Sequence, residues 1–348
     1  MKFIAEQREL EDKLSKVKGA VATKDTIPIL RGFLIAGNQV VATDLEIGIK
    51  TNINAEIIEK GAAVFPADIF SIVKQMPDKP ITIEVDDNWK AEISCNGIEV
   101  ELSCYDAEEY PQLPSVDDPS TLTANSYNLE QAIKLTSPSI STDDSQPALT
   151  GIMLNEKDAV ATNTYRLAKF GANLGFDNQL ILPAKSAKEV ASLARDCTEV
   201  EIEYSSNYAK FNMEGTTVFS RLIEGQFPNY EQVIPDESNT IIRADKGSLI
   251  SCLKRAITVD SGEGVITLVT DGSTLNVSLS DDESSFEEKV DIELEGDEQE
   301  IRLDVNYLLD GVKLLGEDEV KIKLIDYENP IVLEENEFIY LVMPIRRD

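Results

Sequence analysis

Between Ala159 and Arg195 the spacing of apolar positions changes character once. From Ala159 to Phe170 the chain alternates with the period of two that predicts a strand. After a Gly- and Asn-rich turn, Pro183 opens a predicted helix that sets Val190, Leu193 and Ala194 on one face. This strand, turn, helix unit occurs three times. Upstream, residues 41–49 are followed by a helix predicted from Phe65 to Met76, with Thr43 lying 119 positions before Thr162. Downstream, residues 268–276 are followed by 301–313, with Leu303 lying 121 positions after Leu182. A short alternating strand recurs at 81–85, 200–204 and 320–324. Similarity at a domain-sized period fixes the architecture before any other reading.

The rest of the chain fits this frame. Leu10, Leu14, Val17 and Val21 give residues 6–24 an amphipathic helical stripe. Strands are predicted at 32–35, 39–49, 52–58, 81–85, 89–94 and 98–103, before a Pro-rich passage from Tyr110 to Pro119 that reads as a linker. The second repeat opens with a strand at 121–124 and a helix from Asn128, and Phe227-Pro228 answers Tyr110-Pro111 at 117 positions. The third opens at Ile241, with a helix from Lys246 to about Ile257, and ends on 338–348, a last strand that is apolar almost to the terminus. The expected domains are 1–119, 120–240 and 241–348, at the common domain size. Each holds two strand, helix, strand units, six helices in all, an α+β chain.

Composition narrows the function. Histidine is absent, which removes the commonest general base and zinc ligand. Cys95, Cys104, Cys197 and Cys252 show no paired spacing and read as reduced thiols. No apolar run approaches bilayer length and no leader is evident, so a cytoplasmic protein with no membrane partner is expected. Acidic runs at 281–283 and 293–300 lack the Asp-x-Asp-x-Asp-Gly order of a calcium loop, so no metal or cofactor is expected. There is no Gly-rich phosphate loop and no activated nucleophile, which leaves an enzyme working through carboxylates a weak competitor.

The net charge of −32, from 64 acids and 32 bases, argues by itself against a polyanionic partner. Its distribution argues otherwise. Over the six predicted helices, counted from Lys13 in the first, thirteen Lys and Arg stand against five acids. Counting the first helix from Glu6 lowers that surplus of eight to five, and the sign survives. A basic helical layer inside an acidic shell is a different object from an acidic scaffold or DNA mimic, which needs no basic face.

Met1-Lys-Phe, Thr26-Ile-Pro-Ile-Leu30, Ala42-Thr-Asp-Leu-Glu46, Glu224-Gly-Gln-Phe-Pro-Asn-Tyr230, Val233-Ile-Pro235 and Val342-Met-Pro-Ile-Arg346 occur in order over the whole chain. Together they resemble the bacterial sliding clamps, the beta subunits of the replicative DNA polymerase III. The resemblance implies three repeated domains of the DNA-clamp fold, each two βαβββ-type units. It further implies that two chains close head to tail into a homodimeric ring, helices inside and sheets outside. Such a ring encircles duplex DNA without reading its sequence and tethers the polymerase, a non-catalytic processivity role with the clamp loader and other clamp-motif proteins as further partners.

By the same resemblance Lys13, Lys16, Lys24, Lys74, Lys134, Lys188, Arg195 and Lys254 face DNA. A partner-peptide cleft draws on Leu149, Thr162, Thr164, Tyr165, Arg166, Leu167, Pro235, Tyr307, Pro330, Val342, Met343, Pro344, Ile345 and Arg346. Apolar walls with a few orienting polar groups suit a peptide site, although Leu149, Leu167 and Val342 also read as plain core. Val100 and Leu102, on a first-domain edge strand, and Ile257 mark the dimer interface, since an exposed edge needs covering. Two departures stand out. Thr164 and Tyr165 replace the family's Gly and His, which is expected to narrow the backbone's range and add bulk in the cleft. The chain also runs two residues past Arg346.

Overall fold

The computed structural model describes every residue except 24–26, 236, 261, 263, 281–283 and 347–348. Lys24, the acidic run 281–283 and the last two residues therefore lie outside the described residues. The first repeat contains β1 (Lys2–Glu6), α1 (Gln7–Val17), β2 (Gly32–Ala36), β3 (Gln39–Thr43), β4 (Ile47–Asn52), β5 (Ala55–Glu59), β6 (Ala62–Pro66), α2 (Asp68–Gln75), β7 (Pro80–Val85), β8 (Lys90–Cys95), β9 (Ile98–Ser103) and β10 (Tyr105–Asp106). The second contains β11 (Ser120–Asn125), α3 (Ser126–Thr136), β12 (Gly151–Leu154), β13 (Asp158–Thr162), β14 (Arg166–Gly171), β15 (Leu180–Pro183), α4 (Ala184–Ala194), β16 (Glu199–Tyr204), β17 (Tyr208–Met213) and β18 (Thr216–Arg221). The third contains β19 (Thr240–Asp245), α5 (Lys246–Val259), β20 (Val265–Asp271), β21 (Thr274–Ser280), β22 (Ser285–Gly296), β23 (Glu300–Asp304), α6 (Val305–Leu314), β24 (Glu319–Leu324), β25 (Ile331–Glu335) and β26 (Phe338–Val342).

Strand pairing crosses the repeats. β4 of the first pairs antiparallel with β18 of the second, inside a nine-stranded sheet of order β10-β6-β2-β3-β4-β18-β17-β16-β11. β14 of the second pairs with β26 of the third, inside a twelve-stranded sheet of order β15-β12-β13-β14-β26-β25-β24-β19-β22-β21-β20-β23. A five-stranded sheet, β5-β1-β7-β8-β9, completes the set. The compact units accordingly do not follow the repeats: one comprises 1–130 with 185–223, the other 131–184 with 224–348.

Helices form where the apolar stripe can be covered. Leu10, Leu14 and Val17 of α1 are fully buried, and α1 lies against α2. The Gln7 side chain donates to the Val73 carbonyl at 2.9 Å, satisfying a group at the last turn of α2. The helix predicted to Lys24 instead ends at Val17 and gives way to a 3-10 turn over Lys18–Ala20, where the Glu189 side chain occupies the space a Cβ on Gly19 would need. The helix predicted from Phe65 starts at Asp68, because Phe65 pairs with Phe33 in β6 and is itself fully buried. The strand predicted over 39–49 is two strands, broken by a tight turn at 44–46.

The first linker is fastened to the sheet. Tyr110 is buried; its hydroxyl accepts from the Thr43 amide at 3.0 Å and donates to the Gly32 carbonyl at 3.4 Å. Phe227 occupies the matching place in the second repeat without a hydroxyl. Replacing Tyr110 by Phe should therefore fit sterically yet leave the Thr43 amide unpaired, at a cost of about 1–3 kcal/mol. Urea unfolding of the two proteins side by side checks this.

Candidate partner-binding site and helical cations

The Thr162–Arg166 turn is built by its own side chains. Thr162 Oγ1 accepts from the Thr164 amide at 3.1 Å and donates to the Arg166 carbonyl at 2.7 Å. Asn163 Oδ1 accepts from the amides of Tyr165 (3.1 Å) and Arg166 (3.0 Å). These bonds hold Thr164 at φ +75°, the left-handed region that a β-branched residue rarely enters. The first repeat repeats the geometry with Thr43 and Asp44, which hold Leu45 at φ +77°. A side chain in place of glycine is thus accommodated by the turn's hydrogen bonds, at a local strain of roughly 1–3 kcal/mol.

β14 then carries Arg166 alongside Val342 of β26, and the Met343 amide donates to the Tyr165 carbonyl at 2.8 Å. The Arg166 guanidinium lies 4.4 Å from the centre of the Tyr307 ring. Its Nη1 donates to Asp310 Oδ2 at 2.7 Å and lies 3.5 Å from the Tyr340 hydroxyl, which in turn donates to the Tyr307 carbonyl at 3.0 Å. Stacking and hydrogen bonds together fix the cation in one place. Gly311 lets the helix approach, since a Cβ there would meet the Tyr340 ring at 2.5 Å. Asp310 and Tyr340 were missed from sequence. The usable signal was the i, i+3 spacing that puts Asp310 on the Tyr307 face of α6.

The expected cleft residues separate into groups. Thr162, Thr164, Tyr165, Arg166, Tyr307, Val342 and Met343 come together at this turn. Tyr165 and Met343 are exposed, at 64% and 38%. Leu149, Leu167 and Val342 are buried, the core reading of these three. Pro235 and Pro330 line a hollow of about 280 Å³ with Ile234, Val332 and Ile339. Ile345 and Arg346 line another of about 630 Å³ with Arg302 and Tyr327, with half-buried Pro344 between the turn and this end.

Helical charge is weaker than the sequence count. Over the observed α-helices eleven Lys and Arg meet seven acids, because α1 begins at Gln7 and brings in three acids. Asp12 binds both Lys13 and Lys16 at 3.1 Å, and Glu130 binds Arg195 at 2.8 Å. Lys74, Lys134, Lys188 and Lys254 are exposed on α2, α3, α4 and α5.

Family models now decide what these features belong to. Residues 1–114 match the N-terminal domain of the DNA polymerase III beta subunit, 123–229 its central domain and 231–346 its C-terminal domain. The chain belongs to the DNA polymerase III beta subunit family. The beta sliding clamp of Synechococcus elongatus is 29% identical over 379 residues, covering 99% of both chains, and that of Halalkalibacterium halodurans is 28% identical, covering 99% and 100%. The crystal structure of the Bacillus subtilis DNA polymerase sliding clamp superposes with a TM-score of 0.92 at 26% identity over all of both chains. The chain is a three-domain processivity clamp for a DNA polymerase, an accessory factor and not an enzyme. No helix among the described residues is long and apolar enough to cross a membrane.

Two outcomes follow from the Arg166 cluster. Asp310→Asn should lower stability by about 1 kcal/mol, the pair being partly solvent-screened, with Tyr307 and Tyr340 still holding the guanidinium; denaturant unfolding reads it. Burial pushes the Tyr340 hydroxyl up to about 12, and burial likewise raises Tyr110 and Tyr230 to about 12 from 10.0. The folded state therefore holds protons that the unfolded chain releases. Stability complete below about pH 10 should be lost as pH climbs toward 12, and urea midpoints at pH 9 and pH 11 should show Tyr340→Phe losing less than the parent.

Proposed function

We propose that two copies of this chain close head to tail into a ring around duplex DNA, helices lining the hole and sheets forming the wall. The observation that carries this is the repeated joint between domains. Gly48 stands opposite Phe219 where β4 meets β18, and Leu167 stands opposite Leu341 where β14 meets β26. These positions correspond: 48 and 167 are related by 119, and 219 and 341 by 122. The same joint made a third time needs the edge of β22 and the edge of β9. Among the described residues, Ser285–Asp291 pair only with β21, and β9 pairs only with β8. Their union in a second copy would set Phe286 among Val100 and Leu102, all three half-buried at present. Ile257 of α5 packs against the third-domain core beside them. Six domains then close with the edges of β9 and of Ser285–Asp291 both covered.

The boundaries 1–119, 120–240 and 241–348 serve this ring, each domain giving one edge to each of its two joints. Lys74, Lys134, Lys188 and Lys254 supply a sparse cationic lining, with Lys13, Lys16 and Arg195 attenuated by their acids. Topological enclosure removes the need for a tight phosphate grip, and a weak one favours sliding. Replicative polymerase and clamp loader dock through short apolar motifs at the Arg166 turn, where Tyr165 and Met343 offer exposed apolar surface beside an immobilised cation. The setting is the cytoplasm, with the chromosome.

Cysteine cross-linking tests the ring. Phe286→Cys combined with Val100→Cys or with Leu102→Cys should give, on oxidation, a covalent dimer on a denaturing gel, with no ladder of larger species. A ladder would mean an open head-to-tail filament, and no cross-link in either pair would remove this joint from consideration.

A further inference from the structure

We propose that ring closure in this clamp is opposed by carboxylates lined up across the joint, so that salt tightens the dimer. The inference rests on the ring reading. On the exposed face of the five-stranded sheet, Glu59, Lys2, Glu84, Glu92 and Glu101 stand directly opposite one another, strand after strand. Lys2 is the one cation in that row and is bound to Glu84 at 2.7 Å. Glu92 and Glu101 face each other with no cation between them, and Glu99 lies two residues along on the same face.

The opposing edge continues the row. Along Ser285–Asp291, the part of β22 that forms this edge, the exposed positions are Ser285, Glu287, Lys289 and Asp291, with Glu287 held by the Asn276 amide at 2.9 Å. Joining β22 to β9 brings Glu287 among Glu99 and Glu101, with Lys289 on β22 and Lys90 on β8, opposite Ser103, as the cations near them on that face. On the other face Glu288 is already occupied by Arg255 at 2.7 Å. Like charges on facing strands oppose pairing, whereas the contact of Phe286 with Val100 and Leu102 does not weaken in salt. The Debye length falls from about 10 Å at 0.1 M to about 3 Å at 1 M, so salt removes the repulsion and leaves the apolar contact. A charge of −32 on each copy adds a diffuse repulsion of the same sign.

Sedimentation equilibrium of the full chain across about 0.05 to 1 M NaCl tests this. The parent dimer should tighten with salt. Glu287→Lys should tighten it roughly tenfold at low salt, because a ring contains two such joints, and should flatten the salt dependence. Glu59→Lys, at the far edge of the same sheet, changes net charge equally and should have a much smaller effect. Adding Glu99→Lys and Glu101→Lys to Glu287→Lys should restore the repulsion and the salt dependence. A parent dimer that loosens with salt, or a Glu287→Lys dimer no tighter than Glu59→Lys, overturns this inference and leaves the ring standing. A chain monomeric at every salt concentration and in Glu287→Lys overturns the ring as well.

Discussion

Antiparallel pairing between strands of successive domains is the constraint on which the rest depends. It fixes the register of β14 against β26, and that register sets Arg166 beside Val342 and Met343. A slip of one residue would turn every side chain of β26 to the opposite face, taking Tyr340 out of the core and away from Arg166. The pairing also explains why compactness ignores the repeats. Backbone ladders bind the first half of one domain to the second half of the next as firmly as they bind strands within a domain.

The two joints share one backbone framework and differ in their side chains. At the first joint, the position of Arg166 holds Ile47, that of Tyr307 holds Ser186, and that of Val342 holds Ser220, whose hydroxyl meets Ser186 at 2.7 Å. Leu113 from the linker covers Gly48, where the second repeat has Leu167, and the joint is sealed by the chain itself. Lys185 is paired with Asp44 there, while Glu189, the counterpart of Asp310, is pushed up by burial. At the second joint the same backbone carries a stacked guanidinium and two exposed apolar side chains. The difference between the first joint and the proposed docking site at the second therefore lies in about four side chains.

Electrostatics works by placement more than by total. The chain is strongly acidic, yet its observed helices carry a small positive surplus and several of their cations are matched to neighbouring acids. In the proposed ring DNA is held by enclosure and strong phosphate contacts add nothing, so a nearly neutral helical layer is compatible with that arrangement. In the proposed ring the acidic sheet face has its cost where charged edges meet.

The sequence by itself determined the threefold repeat, the six helices and most strands, because periods of 2 and 3.6 follow directly from which side chains are apolar. It also determined the family, through motifs spread over all three domains. Local periodicity failed where tertiary pairing competed with it: Phe65 fits a helical stripe, but its partner Phe33 in β2 makes it a strand residue. The break at Asp44–Glu46 was hidden because turn chemistry there comes from Thr and Asp side chains, with no Gly or Pro to mark it. Arg166, Tyr307, Asp310 and Tyr340 lie on three elements up to 174 positions apart. Only the folded sheet, by setting the register of β14 on β26 and the depth of α6 at Gly311, decides that they meet.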